Sequence, residues 1–230
     1  MQLTRELPPD SFIDSLEEAT RDLRVELDTD SHDVLGATTR AGYRQYLSRI
    51  FGFVSPLERS LSDTNGIERC LDVRRLRKGG LLANDLEALG VSRTEIQSLP
   101  QCMSIPWFDE IPEALGWAYI VERMTLGHAS MFRHLATMIP GEIAFASSYL
   151  KCYFGSVADM WRTFGQTLQR EAKEPADATR IVDAARAGYR HYRRWRNTLD
   201  GKASSGMQEI LEVEPRPPGS PRPSTADDES

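Results

Sequence analysis

The stretch WAYIVERMTLGHASMFRH, residues 117–134, brings Arg123, Gly127 and His128 together on a segment otherwise apolar enough to be buried. A guanidinium is a planar fork of donors suited to carboxylates. A neutral imidazole adds a lone pair that can serve a metal or a hydrogen-bond donor. Glycine inside a helix costs about 1 kcal/mol relative to alanine, so a bend or a close approach must offset it. A ligand site and a kink with ordinary packing both satisfy the pattern.

The remaining candidates point to blander roles. His32 lies in the polar run DTDSHDV, and His191 sits among arginines in YRHYRRWR, where a surface position is expected. His134 follows Arg133, where a cation suits a nearby helix C-terminus. None of the four histidines has an acid three residues before it, which argues against a di-iron carboxylate bundle. There is no Gly-rich phosphate loop, nucleophile elbow or HExxH, so neither a nucleotide nor zinc is expected. Cys70, Cys102 and Cys152 lack paired spacing and read as buried structural thiols of a reducing compartment. Arg186, Arg190, Arg193 and Arg194 recur on one helical side, as a solvated basic face or as carboxylate partners.

The elements that must position these residues are helical throughout, because apolar residues recur at helical spacing and no alternating strand pattern appears. The expectation is an all-α single domain. A first helix is predicted from Ser11 to Leu27, and a second from near Thr39, bent by Gly52 and Pro56. Two short pieces follow, punctuated by Gly79-Gly80 and Gly90. A long central helix runs from Ile111 to Met138. GEIAFASSYLKCYF, SVADMWRTFGQTLQREAK and ADATRIVDAARAGYRHYRRWRNTL each read as a further helix. The layout is a lead-in over 1–10, a helical domain over 11–200 and an extension over 201–230. That extension is Pro-, Ser- and charge-rich and expected to be disordered from about residue 214.

The bulk properties fit one domain: 230 residues with 40% hydrophobic content can build a core. A net charge of −6 gives no basic footprint for nucleic acid or anionic lipid. No signal-like leader and no apolar run of about 18 residues is present, so a cytoplasmic protein is expected.

The motifs, taken in order, resemble the heme oxygenases of bacteria, including those found beside phytochromes. YRQYLSRIFGFVSPLE is similar to the family's second helix. LGWAYIVERMTLGHASM resembles its distal helix, whose pattern is close to LGWLYVxEGSxLGG. RKGGLLANDLEALG, WRTFGQTL and DAARAGYRHYRRW resemble its linking and terminal segments. The resemblance covers roughly residues 11–200. It implies an all-α sandwich holding heme between the first helix and a kinked distal helix, with oxygen-dependent opening of the ring to biliverdin.

The resemblance also locates departures from the family pattern. LEEATRDLRVELD aligns with LRxATxxxHxxLE so that Arg24 stands where the family's iron-binding histidine would be, and a guanidinium has no lone pair to give. On the distal side Arg123, Met124 and His128 replace small positions, while Gly127 is retained and Tyr119 matches an aromatic one. Arg24, Tyr119, Arg123, Met124, Gly127 and His128 are therefore the expected tetrapyrrole-contacting residues, with His128 as an alternative iron ligand. Lys151 and the late arginines could attract propionates or lie in solvent. Three functions follow from the resemblance: a heme-, porphyrin- or bilin-binding pseudo-enzyme, an active oxygenase with another ligand, or an interaction scaffold. A phytochrome or an electron-donor protein is the expected macromolecular partner.

Overall fold

The computed structural model describes residues 11–29 and 37–199. Among them the regular elements are all helical: α1 (Phe12–Ala19), α2 (Arg21–Thr29), α3 (Arg40–Ser62), α4 (Lys78–Ala88), α5 (Arg93–Gln97), α6 (Ile111–Met124), α7 (His128–Met138), α8 (Pro140–Phe145), α9 (Val157–Glu171) and α10 (Pro175–Leu199). Short 3-10 turns occur at Ile67–Arg69, Val73–Leu76 and Thr125–Gly127. His32 and the segments before residue 11 and after residue 199 lie outside the described residues.

The centre is the pairing of α6 with α10. A Cβ on Gly116 would stand 2.5 Å from the Ile181 carbonyl, and one on Gly188 would run into Ile120 Cδ1. Two glycines thus let the helices approach nearly backbone to backbone. Around this seam Phe53, Leu115, Tyr119, Ile120, Phe164 and Ile181 are fully buried.

The α3 helix starts where expected, with Thr39 Oγ1 accepting from Gly42 N at 3.1 Å. It runs unbroken through Pro56. Pro56 has no N–H for the Gly52 carbonyl, and Cys102 N supplies the missing donor at 2.8 Å. Gly79 and Gly80 lie inside α4 rather than before it, and Gly90, with φ of 87°, makes the real stop.

Three expected single helices are interrupted. The first breaks at Thr20, whose hydroxyl returns to the Leu16 carbonyl at 2.8 Å. The central one breaks at Thr125–Gly127, where Thr125 Oγ1 donates to the Glu122 carbonyl at 2.7 Å. The third stops at Phe145, because the buried Asp85 carboxylate takes the N–H groups of Ser148 and Tyr149 at 2.7 and 2.9 Å. In each case a side chain competes with the backbone ladder, a contest that hydrophobic periodicity does not register.

Candidate functional site

A cavity of about 620 Å³ opens where α2, α3, α6, α7 and α10 meet, within the size range of small-molecule sites. Its walls are chiefly apolar and aromatic, with Leu27, Ile50 and Ile120 beside Tyr46, Tyr189 and Tyr192. Arg24, Arg123, Met124, Gly127 and His128, all singled out from the sequence, border it together. Ile120, Arg123 and Met124 at the end of α6 and Gly127 in the following 3-10 turn fall on one helical stripe, and Ser130, Met131 and His134 continue it along α7. A Cβ on Gly127 would meet no atom within 4 Å, so internal packing does not require glycine there.

His128 follows that stripe but is rotated off it. Its ring is 5% exposed, with its centroid 4.5 Å from that of Tyr149 and Nδ1 3.6 Å from Cys152 Sγ. Nε2 is sealed from solvent and has no hydrogen-bond partner. Burial, aided by the nearby Lys78 ammonium, pushes the imidazole pKa down to about 3, although a backbone hydrogen bond at Tyr149 acts the other way. The ring is neutral at physiological pH. Burial also raises the Cys152 thiol to about 11, so the neighbouring sulfur is not a thiolate.

The guanidinium groups are held from behind. Arg24 Nη2 donates to the Glu17 carbonyl at 2.9 Å, whereas its buried Nε has no partner. Arg123 Nε lies 3.0 Å from Glu17 Oε1 without hydrogen-bond alignment, and its guanidinium stacks 5.8 Å from the Trp161 ring centre. Its acidic partner is therefore Glu17. Arg196, which the sequence pattern does not single out, also borders the cavity, is 7% exposed and donates to the Leu27 carbonyl at 3.2 Å. Among the described residues no aspartate or glutamate belongs to the lining.

The other sequence candidates stand elsewhere. Tyr119 is fully buried behind the cavity wall, against Trp161 and Tyr189, with its hydroxyl 3.4 Å from Thr20 Oγ1. His191 is not a solvated surface residue: it is half-buried, Nδ1 is 3.0 Å from Ser104 Oγ and the ring lies on Trp117. Arg186 donates to the Ala19 carbonyl and Arg193 pairs with Glu26 at 2.6 Å, so both tie α10 to the first helices. Arg190 and Arg194 are exposed. Lys151 is exposed and caps the Phe132 ring at 4.8 Å.

A buried ionic cluster that the sequence did not announce anchors the break between α6 and α7. The Glu122 carboxylate meets Arg75, Lys78 Nζ at 2.8 Å and the Tyr153 hydroxyl at 2.9 Å. Arg75 also donates to Met160 O and Thr163 Oγ1, and Lys78 to Arg75 O. Each charge is paired and hydrogen-bonded, the condition under which burial is tolerated. The last turn of α6 is thus fixed at the residue before Arg123. A smaller apolar cavity of about 280 Å³ lies on the other flank of α7, and His128 borders both.

Among the described residues no cluster of three or more metal-ligating side chains occurs, and no helix is long and apolar enough to cross a membrane. The arrangement suits a flat apolar ligand bearing carboxylates.

Comparison with known proteins adds to this geometry. Residues 10–198 match the family model described as Heme oxygenase. A comparison with curated protein sequences finds no significant match. Among solved structures, the chain is similar to the NO- and CO-bound heme oxygenase from Neisseria meningitidis, at 18% identity and a TM-score of 0.69. The match covers 84% of this chain and 94% of that one.

Proposed function

The chain belongs to the heme oxygenase family, and we propose that its 620 Å³ cavity binds a tetrapyrrole, with turnover of heme to biliverdin weakened by the loss of a proximal imidazole. The observation that carries this reading is the convergence of Arg24, Arg123, Met124, Gly127 and His128 on one cavity whose described lining holds no carboxylate.

The cavity fits the ring. Tyrosine and aliphatic walls suit a flat apolar macrocycle, and the open space beside Gly127 admits it close to the α6–α7 backbone. Arg24, Arg123 and Arg196 would hold the propionates, as guanidinium forks hold carboxylates. The fit to iron is poorer. Arg24 has no lone pair, and His128 Nε2, though neutral and unpartnered, is sealed from solvent. Heme when bound supplies the iron that activates oxygen, and the protein's share is an axial base, orientation and the surrounding polarity. In this chain the cavity residues would supply orientation and polarity, and the axial base would be lacking.

The test is a titration of the purified protein with hemin, followed by ascorbate or a reductase under oxygen. The expected result is saturable binding with a shifted Soret band and little biliverdin. Ready biliverdin formation would favour an active oxygenase using another ligand. The unpartnered Nε2 supports His128 in that role, and His128→Ala would then abolish turnover. If hemin does not bind, an interaction scaffold is the surviving reading.

A further inference from the structure

We propose that Glu17 sets the cavity's preference for acidic ligands by competing with a ligand carboxylate for Arg123. The inference rests on the tetrapyrrole reading above and gives a residue behind the cavity wall a part in it.

Glu17 serves two arginines through different atoms. Its carbonyl belongs to the last turn of α1, where helix carbonyls have no ladder donor ahead of them. Arg24 Nη2 meets that need at 2.9 Å, reaching back across the break at Thr20. The Glu17 carboxylate turns to α6 instead, with Oε1 3.0 Å from Arg123 Nε. A neutral acceptor thus fixes Arg24 and a charge fixes Arg123, so substituting the carboxylate acts on Arg123 and spares the anchor of Arg24.

The hold on Arg123 is loose. The two side chains are 28% and 33% exposed, and at such exposure an ion pair is weak. Arg123 Nε makes no aligned hydrogen bond although the atom itself is sealed from solvent, a state that costs free energy until a better acceptor relieves it. The guanidinium also lies 5.8 Å from the Trp161 ring centre, a second support that remains when Glu17 lets go. Arg123 borders the cavity, so a carboxylate on a ligand there meets the same guanidinium, whose fork suits it.

The charge of Glu17 is felt at the wall as well. Tyr189 lines the cavity, and its phenol is raised chiefly by burial; Arg123 and Arg24 act to lower it, and Glu17 adds to the rise. An anion at that wall is attracted by the two arginines and repelled by Glu17.

The test titrates protoporphyrin IX and its dimethyl ester into the full-length protein and into Glu17→Gln, Arg123→Met and the double variant, followed by absorbance and by quenching of tryptophan fluorescence. Both probes lack iron, so axial ligation does not enter. Glu17→Gln is expected to bind protoporphyrin about threefold to fivefold more tightly, the range of a partly exposed ion pair, and to shift the ester by less than about twofold. With Arg123→Met already in place, Glu17→Gln should move the acid by less than about twofold, because the contested cation is gone. Weaker acid binding in Glu17→Gln would overturn the proposal, since Glu17 would then be presenting Arg123 rather than withholding it. A gain shared equally by the ester, or one that survives whole without Arg123, would do so too. Hemin is titrated into the native chain alongside. If neither hemin nor protoporphyrin binds, the tetrapyrrole reading falls and takes this inference with it; if either binds and the Glu17 effect is absent, only the inference falls.

Discussion

At position 24 a guanidinium stands where an imidazole would be useful to iron, and it borders the cavity from a half-buried position. Arg24→His therefore exchanges a carboxylate donor for a lone pair on the same wall. The expected outcome is a hemin affinity at least about tenfold higher than that for protoporphyrin, with a Soret spectrum of protein-ligated iron; unchanged selectivity would mean that position 24 does not face the metal. Gly127 gives a second test, because its absent Cβ borders open space. Gly127→Leu should raise or preserve thermal stability, since leucine exceeds glycine in helix propensity by up to about 1 kcal/mol, while weakening hemin binding about tenfold or more through occupied volume. A loss of stability would instead assign the glycine to folding. The contrast marks what was legible in these residues. Glycine in an apolar helix signals a vacancy by its cost, whereas nothing about His128 in sequence reveals that Tyr149 and Cys152 turn its ring away and seal Nε2.

At the scale of elements the same substitution type reverses sign. Gly188 lies in the α6–α10 seam, where a Cβ would meet Ile120 Cδ1 and the Trp117 ring at 3.2 Å. Gly188→Ala gains helix propensity but overpacks, and a net loss of about 1–3 kcal/mol in urea unfolding is expected. A stabilised variant would show that the two helices can slide apart freely. Most of the elements were legible, since α3, α9 and α10 follow the apolar spacing and the Thr39 cap that mark them. What escaped were the interruptions at Thr20, at Thr125–Gly127 and after Phe145. Two come from threonine hydroxyls returning to their own helix, and one from Asp85, more than sixty residues away, capturing two backbone donors. The candidate site lies at the first two of these breaks. The Glu122 cluster belongs with them, because its pairing of Arg75, Lys78 and Tyr153 is a matter of tertiary placement. Arg196 escaped for the same reason: its sequence neighbours are exposed arginines, and only the crossing of α10 behind α2 turns it inward.

For the molecule as a whole, the neutral His128 couples stability to pH. Its folded pKa is depressed to about 3, against about 6.5 in the unfolded chain, so between these values only the unfolded state gains the proton. The stabilisation is fully present above about pH 6.5 and is lost as pH falls toward 3, at a limiting slope of about 1.4 kcal/mol per pH unit. Glu58 and Asp85 run the other way. Burial raises both carboxyls, so their contribution is present below the unfolded carboxylate pKa and lost as pH rises through the folded one. The sum in the native protein therefore conceals each term, and a difference against a His128→Phe variant isolates the imidazole. Between pH 7 and pH 5 the native chain should lose about 2 kcal/mol more unfolding free energy than the variant, measured by urea titration at fixed ionic strength. Equal losses in the two proteins would mean that the ring accepts a proton while folded, and hence that water reaches Nε2. That outcome would also return His128 to contention as an iron ligand, because a nitrogen open to protons from the cavity is open to a metal there.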